Sequence, residues 1–427
     1  MNIQGSPRRR STFQSRGNTG ENKVDSGDLG RKHKPDYWLV ALCVLLLAIG
    51  MMVVYAISPA LGASTGVSGS HYVFKQLLAV GLSLVAFMIT AQVPVRYWRH
   101  AYKPLLIGAG LMTLVAIAMP VNPSYPAHRW VRLGGFSFQS VELLKFALLI
   151  WLAGFLAERV SRQEIATTDK TLKPLLIAMG AIGLVIAGIQ SDLGSTGVIV
   201  LMLGTLAFIA GLPFKRLLLI GGIVAVGLFI AISATPYRRD RLSTYLHPEA
   251  NCQSTGYQAC QALIAVGSGG MVGLGLGKSV QANGYLPEAA NDSIFAIYAE
   301  VFGFIGVVVL LGVYVALFSR LKGIAERAPD DFSRFIVLGV LTWLSTQALI
   351  NIGAMIGLLP LKGITLPFIS YGGTSVVFVA AAVGLVFQIS RYTSYIAPIN
   401  DERSMHDDSR DRRRIRGAYH PNPSSSS

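Results

Sequence analysis

Tyr285-Leu-Pro-Glu-Ala-Ala-Asn-Asp-Ser-Ile-Phe295 marks the place where the longest hydrophilic passage of the chain gives way to an apolar run. The passage opens near Pro236, and Asp292 stands at its downstream rim. A carboxylate at the edge of a membrane span is costly, so it is a functional-site candidate by default. The fold follows from what flanks this passage. Runs of about 20 apolar residues, the length that spans a bilayer as a helix, recur on both sides of it.

Composition agrees. Hydrophobic residues make up 52% of the chain and charged residues 14%, against about 25% charged in soluble domains; the mean hydropathy is +0.51. The fold class is all-α: a polytopic membrane protein of about ten transmembrane helices, with a large extracytoplasmic loop between spans seven and eight. The formal net charge of +15 is not a nucleic-acid signal. It lies in tails and short loops, where it sets topology.

Residues 1–35 are polar and rich in Arg, Lys, Ser and Gly, and read as a disordered tail. The transmembrane domain covers 36–395, the large loop within it 236–292, and a second disordered tail 396–427. The first span runs from about Tyr37 to Ile57. Later spans are expected near 73–93, 104–120, 141–158, 173–189, 193–211, 215–234, 293–319, 334–358 and 371–390. Only Gln190-Ser-Asp-Leu193 separates the fifth from the sixth, which makes that division the weakest.

Lys and Arg alternate by side. Eight lie in the first tail. Basic loops follow around Arg96, Arg99 and Lys103, around Arg159, Arg162 and Lys170, at Lys215 and Arg216, and around Arg320, Lys322 and Arg327. All fall on the face of both termini, which the positive-inside rule makes cytoplasmic. The 236–292 loop then lies outside, and long loops such as this translocate largely regardless of charge.

Cys252 and Cys260 share that loop. In an oxidising compartment they could form a disulfide, which their spacing permits without requiring. Metal ligation by this pair is disfavoured, because His247 is the loop's lone histidine.

Several side chains are candidates for chemistry. Asp292 could be a helix N-cap, a favoured role for Asp, or a proton acceptor; the roles can coexist. Glu288 lies one helical turn earlier. In a helix the two carboxylates would share a face and one pKa would rise. Gly267-Ser-Gly-Gly-Met-Val-Gly-Leu-Gly-Leu-Gly-Lys-Ser279 has the wrong spacing for a Walker loop. It reads either as a re-entrant segment needing close backbone approach, or as a bed for a pyrophosphate with Lys278 as counter-charge. Glu142 and Lys145 are spaced to pair on one helix face. Arg129 and Arg132, at the outer end of the fourth span, could bind a phosphate or lipid headgroups. Asp192 heads the sixth span, where a cap is the simpler role. Glu300 lies within the eighth span and needs a proton or a partner, Lys145 being one option. Pro360-Leu-Lys-Gly-Ile-Thr-Leu-Pro-Phe-Ile-Ser-Tyr-Gly-Gly-Thr-Ser375 has no regular period. Such backbone is tolerated at membrane depth only when buried or lining a cavity, which points Lys362 at that cavity or its mouth.

These blocks together resemble the SEDS family (shape, elongation, division and sporulation), the FtsW/RodA polytopic proteins, over roughly residues 37–392. The resemblance is carried by Arg129-Trp…Phe138-Gln…Glu142…Lys145, Gln190-Ser-Asp-Leu-Gly194, Tyr257-Gln…Gly267-Ser-Gly-Gly270, Leu286-Pro-Glu…Asp292…Phe295-Ala, and Asn351-Ile-Gly through Ser370-Tyr-Gly-Gly-Thr-Ser375. Departures occur at Asn291-Asp-Ser293, at Gln139-Ser-Val-Glu142 where the family usually has Gln-Pro-Ser-Glu, and at Val301 where a second glutamate is common.

The resemblance implies a peptidoglycan glycosyltransferase that polymerises lipid II outside the cytoplasmic membrane. The family's essential loop aspartate maps onto Asp292, and its Glu and Lys of the fourth span onto Glu142 and Lys145. Leu361-Lys-Gly363 looks more like the division branch than the elongation branch. Implied partners are lipid II, a class B penicillin-binding protein transpeptidase and other divisome proteins. In the implied inverting transfer Asp292 takes a proton from a sugar hydroxyl. Arg241, Lys278, Arg129 and Lys362 are candidates to steady the leaving pyrophosphate. No cofactor is demanded, though a divalent cation (Mg or Mn) could assist. A lipid II flippase and a non-catalytic divisome scaffold are the rival readings.

Overall fold

The computed structural model describes residues 30–119, 130–133, 136–233, 239, 245, 252–254, 256–361 and 363–394. Arg129, Arg241 and Lys362 lie outside the described residues, as do nearly all of both tails and much of the 236–292 loop.

Ten apolar helices carry the described chain. They are α1 (Tyr37–Thr65), α2 (Gly69–Gln92), α3 (Val95–Ala118), α4 (Ser140–Ser161), α5 (Thr168–Ile189), α6 (Leu193–Ile209), α7 (Phe214–Ser233), α9 (Ile294–Glu326), α10 (Asp331–Met355) and α11 (Gly373–Ile389). A shorter helix, α8 (Tyr257–Ser268), carries Cys260, whose disulfide to Cys252 ties it to the segment before it. Seven of the ten are long and apolar enough to cross a membrane; α6 and α11 are apolar but only 17 residues each. Each expected span is met by a helix, though α1 runs eight residues further, to Thr65, α3 begins nine residues earlier, at Val95, and α9 runs seven further, to Glu326; at the weak division Ser191 takes φ 53 between α5 and α6.

Helix starts follow simple capping chemistry. Asp36 accepts from the Leu39 amide, Asp192 from Ser195, and Asp330 from Ser333, each satisfying an orphan first-turn donor. α1 ends at Gly66, whose φ of 71 places it in the left-handed region. α5 is irregular, with π-type turns over Thr168–Leu172 and Gly183–Ile189 around a regular centre.

α4 and α10 run through the middle of the bundle. Of their most apolar windows 72% and 61% are buried, against 17% for α3 at the edge. Polar groups on α4 and α10 are therefore screened from lipid and must find partners within the protein. α11 packs tightly on α2: a Cβ at Gly384 would stand 2.1 Å from Thr90 Oγ1 and 2.6 Å from the Phe87 carbonyl oxygen.

Two short antiparallel strand pairs complete the fold. β2 (Trp130–Leu133) pairs antiparallel with β3 (Phe136–Gln139) just before α4. At the other face, β1 (Gly30–Lys32) pairs antiparallel with β4 (Tyr392–Ser394), with Arg31 opposite Thr393. The sequence suggests an unstructured chain up to residue 35. The last residues of that segment are instead held by backbone pairing, because α1 and α11 bring the two ends of the bundle together. The amide of His33 donates to the Arg391 carbonyl at 2.8 Å, and that of Asp36 to Ser390 Oγ at 3.0 Å. This face is termed proximal below; the face bearing the loops before α4, α9 and α11 is distal.

The proximal loop after α4 gathers the basic residues expected there. Arg159 and Lys170 both pair with Glu164. The hydrogen bond from Lys170, seconded by Arg159, holds the Glu164 carboxyl below the usual range.

Candidate active site

Asp292 lies in an irregular distal segment, one residue before the cap of α9. The cap residue itself is Ser293, which makes no side-chain capping bond. Asp292 thus differs from Asp36, Asp192 and Asp330, and the cap reading of the sequence does not describe it. Its position is set through its backbone. Asn351, buried on α10, donates from Nδ2 to the Asp292 carbonyl at 2.7 Å and to the Ile364 carbonyl at 2.6 Å.

Neighbouring bonds fix the rest of the segment. Ser370 Oγ donates to the Asn291 carbonyl at 2.6 Å and accepts from the Leu366 amide at 2.7 Å. The Tyr371 amide donates to the Ala290 carbonyl at 2.8 Å. Ser293 Oγ donates to the Pro287 carbonyl at 2.9 Å and accepts from Gln258 Nε2 on α8 at 3.1 Å. The two non-helical stretches, 284–293 and 363–372, therefore form one bonded unit hung from α10. Tyr314 on α9 adds a bond from its hydroxyl to the Pro367 carbonyl at 2.6 Å.

Glu288 is exposed and has φ 52. That backbone is incompatible with a continuous helix through Asp292, so the expected stacking of the two carboxylates on one helix face does not occur. The Glu288 carboxylate instead accepts from the Asn291 side chain. Its backbone carbonyl closes the turn by accepting from the amides of Asn291 and Ser293.

A buried polar chain supports this unit from below. Lys145 Nζ donates to Glu142 Oε1 at 2.8 Å and to Gln347 Oε1 at 3.3 Å, and lies 5.1 Å from the centroid of the Trp343 ring. Both members of the ion pair are nearly inaccessible, at 3% and 2% exposure. Gln347 Oε1 also accepts from Trp343 Nε1 at 2.8 Å, and its Nε2 donates to the carbonyl and hydroxyl of Thr365 at 2.9 and 3.1 Å. The Thr365 hydroxyl reaches Ser375 Oγ at 3.1 Å. The ion pair on α4 is thereby joined through Gln347 to the loop that holds Asp292.

The glycine-rich stretch is a re-entrant seam. α9 is broken at Gly303, where φ is 64 and ψ −167. Residues 269–275 fill the break. Leu274 and Gly275 amides donate to the Glu300 and Val301 carbonyls at 2.9 and 3.0 Å, while Phe304 and Ile305 amides donate to Gly270 and Met271 carbonyls at 2.9 and 3.1 Å. A Cβ at Gly269 would lie 2.1 Å from the Ala299 oxygen, and one at Gly273 2.1 Å from the Val301 oxygen. The glycines are there for close backbone approach. The amides of residues 273–275 are committed to carbonyls, which sets aside the pyrophosphate-bed reading for them.

Glu300 belongs to this seam and not to the Lys145 pair. Fully buried, it accepts from Ser279 Oγ at 2.5 Å and from the Val280 and Gln281 amides at 3.0 and 3.3 Å. The sequence option of a Glu300–Lys145 pair fails because Lys145 is already engaged by Glu142 and Gln347. Lys278 is exposed at the end of the same segment. Asp192 Oδ1 accepts from the Ser195 amide at 3.0 Å and Oδ2 from its hydroxyl at 2.9 Å.

Among the described residues, no three His, Cys, Asp or Glu side chains gather as a metal site. Gln347 and Asn351 are the supporting residues that reading for charge overlooks. Their signal is two amides spaced i, i+4 on one face of an apolar span, a costly arrangement unless both are bonded.

The fold and site together define a polytopic membrane protein whose distal loops converge on a carboxylate at the mouth of a broken helix. The chain belongs to the cell cycle protein family of FtsW, RodA and SpoVE, whose family model matches residues 37–395. It is 36% identical over 366 residues to a probable peptidoglycan glycosyltransferase FtsW of Coxiella burnetii, covering 84% of this chain and 96% of that protein. It is equally identical over 367 residues to the stage V sporulation protein E of Bacillus subtilis, covering 86% and 99%. Among solved structures, a chain of a peptidoglycan synthase complex superposes with a TM-score of 0.69 at 28% identity, covering 85% of this chain and 99% of that one. The rod shape determining protein RodA of Thermus thermophilus gives 0.60 at 29%, covering 84% and 97%.

Proposed function

We propose that this chain is a peptidoglycan glycosyltransferase that joins lipid-linked disaccharide units, lipid II, into glycan strands. The observation that carries the reading is the pinning of Asp292 through Asn351: a carboxylate-bearing residue held by its backbone at the start of a span. Asp292 acts as general base. Its carboxylate takes the proton from the 4-hydroxyl of one lipid II sugar as that oxygen attacks the anomeric carbon of the growing chain, with inversion. The bond to polyprenyl pyrophosphate breaks, and negative charge gathers on the leaving group. Cations aimed there stabilise the transition state; Lys278, Arg241, Arg129 and Lys362 are the proposed ones. Glu142, Lys145 and Gln347 position the loops and do not touch the reacting atoms.

The basic proximal loops and the paired chain ends support a cytoplasmic proximal face in the bacterial inner membrane. The distal site then faces the wall. The FtsW name borne by several relatives at about 36% identity supports a septal role. The synthase complex among the structural neighbours, described as coordinating polymerization and crosslinking, supports a class B penicillin-binding protein as partner. Mg or Mn would suit a carboxylate ligand; among the described residues no three His, Cys, Asp or Glu side chains gather around one.

The test is glycan polymerisation from lipid II by the full-length chain with its transpeptidase in liposomes. A general base contributes about 10²–10⁴-fold. Asp292→Asn should lower the rate by that order while the thermal midpoint stays near wild type. Undiminished polymerisation by this variant would remove Asp292 from the chemistry.

A further inference from the structure

On the proximal face, remote from Asp292, a cavity of about 450 Å³ opens where the chain ends meet α9. Its lining comes from three separate stretches. His33, Lys34 and Asp36 arrive from the segment before α1, Arg320 and Arg327 from the end of α9, and Ser390 and Tyr392 from the segment after α11.

The lining is cationic. Asp36 is its one carboxylate, and that group already accepts from the Leu39 amide as the cap of α1. Its contact with Arg320 is long, at 3.9 Å. Lys34 and Arg327 form no ion pair among the described residues, and both are exposed. Tyr37 and Trp38 flank the mouth at 64% exposure each, with the Arg320 guanidinium 5.9 Å from the centroid of the Trp38 ring. Exposed Trp and Tyr at a helix end mark the level of lipid headgroups. The negative end of the α9 dipole accounts for one cation near residue 327. It does not account for cations from two chain segments facing one cavity beside an aromatic pair.

We propose that this cavity binds the phosphodiester headgroup of an anionic phospholipid. Lys34 and Arg327 meet the phosphate, while Trp38 rests against the glycerol and upper acyl region. Basic pockets between transmembrane helices are the usual receptors for such headgroups. The cavity size fits a small polar ligand. The site would tie the activity of a wall-building protein to the composition of the leaflet on its proximal side.

Full-length protein in neutral detergent, titrated with phosphatidylglycerol or phosphatidylcholine and read by native mass spectrometry, tests this. Wild type should retain phosphatidylglycerol preferentially. Each cation near the surface is worth about fivefold, so Lys34→Gln with Arg327→Gln should weaken retention by about 30-fold. Lys322→Gln, an exposed cation on the same face outside the cavity, should stay within about twofold of wild type. Arg327→Lys, which keeps the charge, should retain most of the binding. Equal retention by the double variant and wild type would overturn the proposal. So would displacement of phosphatidylglycerol by glycerol phosphate at the same concentration, since that would make the ligand a soluble phosphate compound. If the double variant does not fold, wild type decides: retention that does not fall as ionic strength rises refutes a phosphate held by cations.

Discussion

The side-chain amide of Asn351 donates to two backbone carbonyls at once, that of Asp292 at 2.7 Å and that of Ile364 at 2.6 Å. One buried group on α10 thus holds two loops that are 72 residues apart in sequence in a fixed relation. Asn351→Ala would leave both carbonyls without this donor. Each buried, unsatisfied acceptor costs about 1–3 kcal/mol, so thermal unfolding should show a clear loss. Polymerisation should fall more steeply than folded yield, because the loop bearing Asp292 loses its register. A variant with wild-type rate would show that the Asp292 carbonyl needs no anchor.

The Glu142–Lys145 pair is the second support. Breaking a buried pair on one side strands a charge and typically costs about 3–5 kcal/mol. Glu142→Gln and Lys145→Met should each lower the thermal midpoint and the polymerisation rate together. Combining Glu142→Leu with Lys145→Met removes both charges, which is often close to neutral for stability. The double variant should therefore regain stability while remaining slow, since Gln347 no longer receives a bond from Lys145. Recovery of full rate would reduce the pair to packing.

The glycine seam separates two kinds of glycine by substitution. Gly273→Ala places a Cβ 2.1 Å from the Val301 oxygen at φ 82, and Gly303→Ala places one 2.3 Å from the Gly273 nitrogen at φ 64. Both should fail to yield folded protein. Gly267 has open space and no positive φ, so Gly267→Ala should lie within about 0.5 kcal/mol of wild type. Folded yield after detergent extraction and size-exclusion chromatography is sufficient measurement.

The ten apolar runs were legible because lipid demands them, and each became a helix, though three ends moved by seven to nine residues: α1 continues to Thr65, α3 begins at Val95 and α9 continues to Glu326. Glu142 with Lys145 was legible for a similar reason, since i, i+3 spacing fixes a shared face on any helix. The relation of Glu288 to Asp292 was not, because it assumed helical backbone where Glu288 takes φ 52. The Glu300 partners could not be foreseen either. They are a hydroxyl and two backbone amides of a segment packed where α9 breaks at Gly303, and local periodicity carries no trace of that break. Arg129, Arg241 and Lys362 remain matters of proposal, lying outside the described residues.

Glu300 offers the sharpest separation of structure from chemistry. Its two oxygens accept three bonds, from Ser279 Oγ, Val280 N and Gln281 N. A glutamine of the same shape can keep its oxygen on the two amides and turn its amino group to Ser279 Oγ, which would then accept. That hydroxyl already accepts from the Ala282 amide at 3.1 Å, so the exchange keeps both backbone amides satisfied and costs the Ser279 hydroxyl proton its present acceptor. Glu300→Gln should therefore retain most of the polymerisation rate, with a modest fall in thermal midpoint. Glu300→Ala leaves two amides and a hydroxyl without their acceptor beside a broken helix and should lose folded protein. A group that moves protons behaves the other way, with the glutamine variant folding normally and turning over at background rate. The comparison of Glu300→Gln with Asp292→Asn, in one liposome assay, decides which carboxylate holds the backbone and which takes the proton.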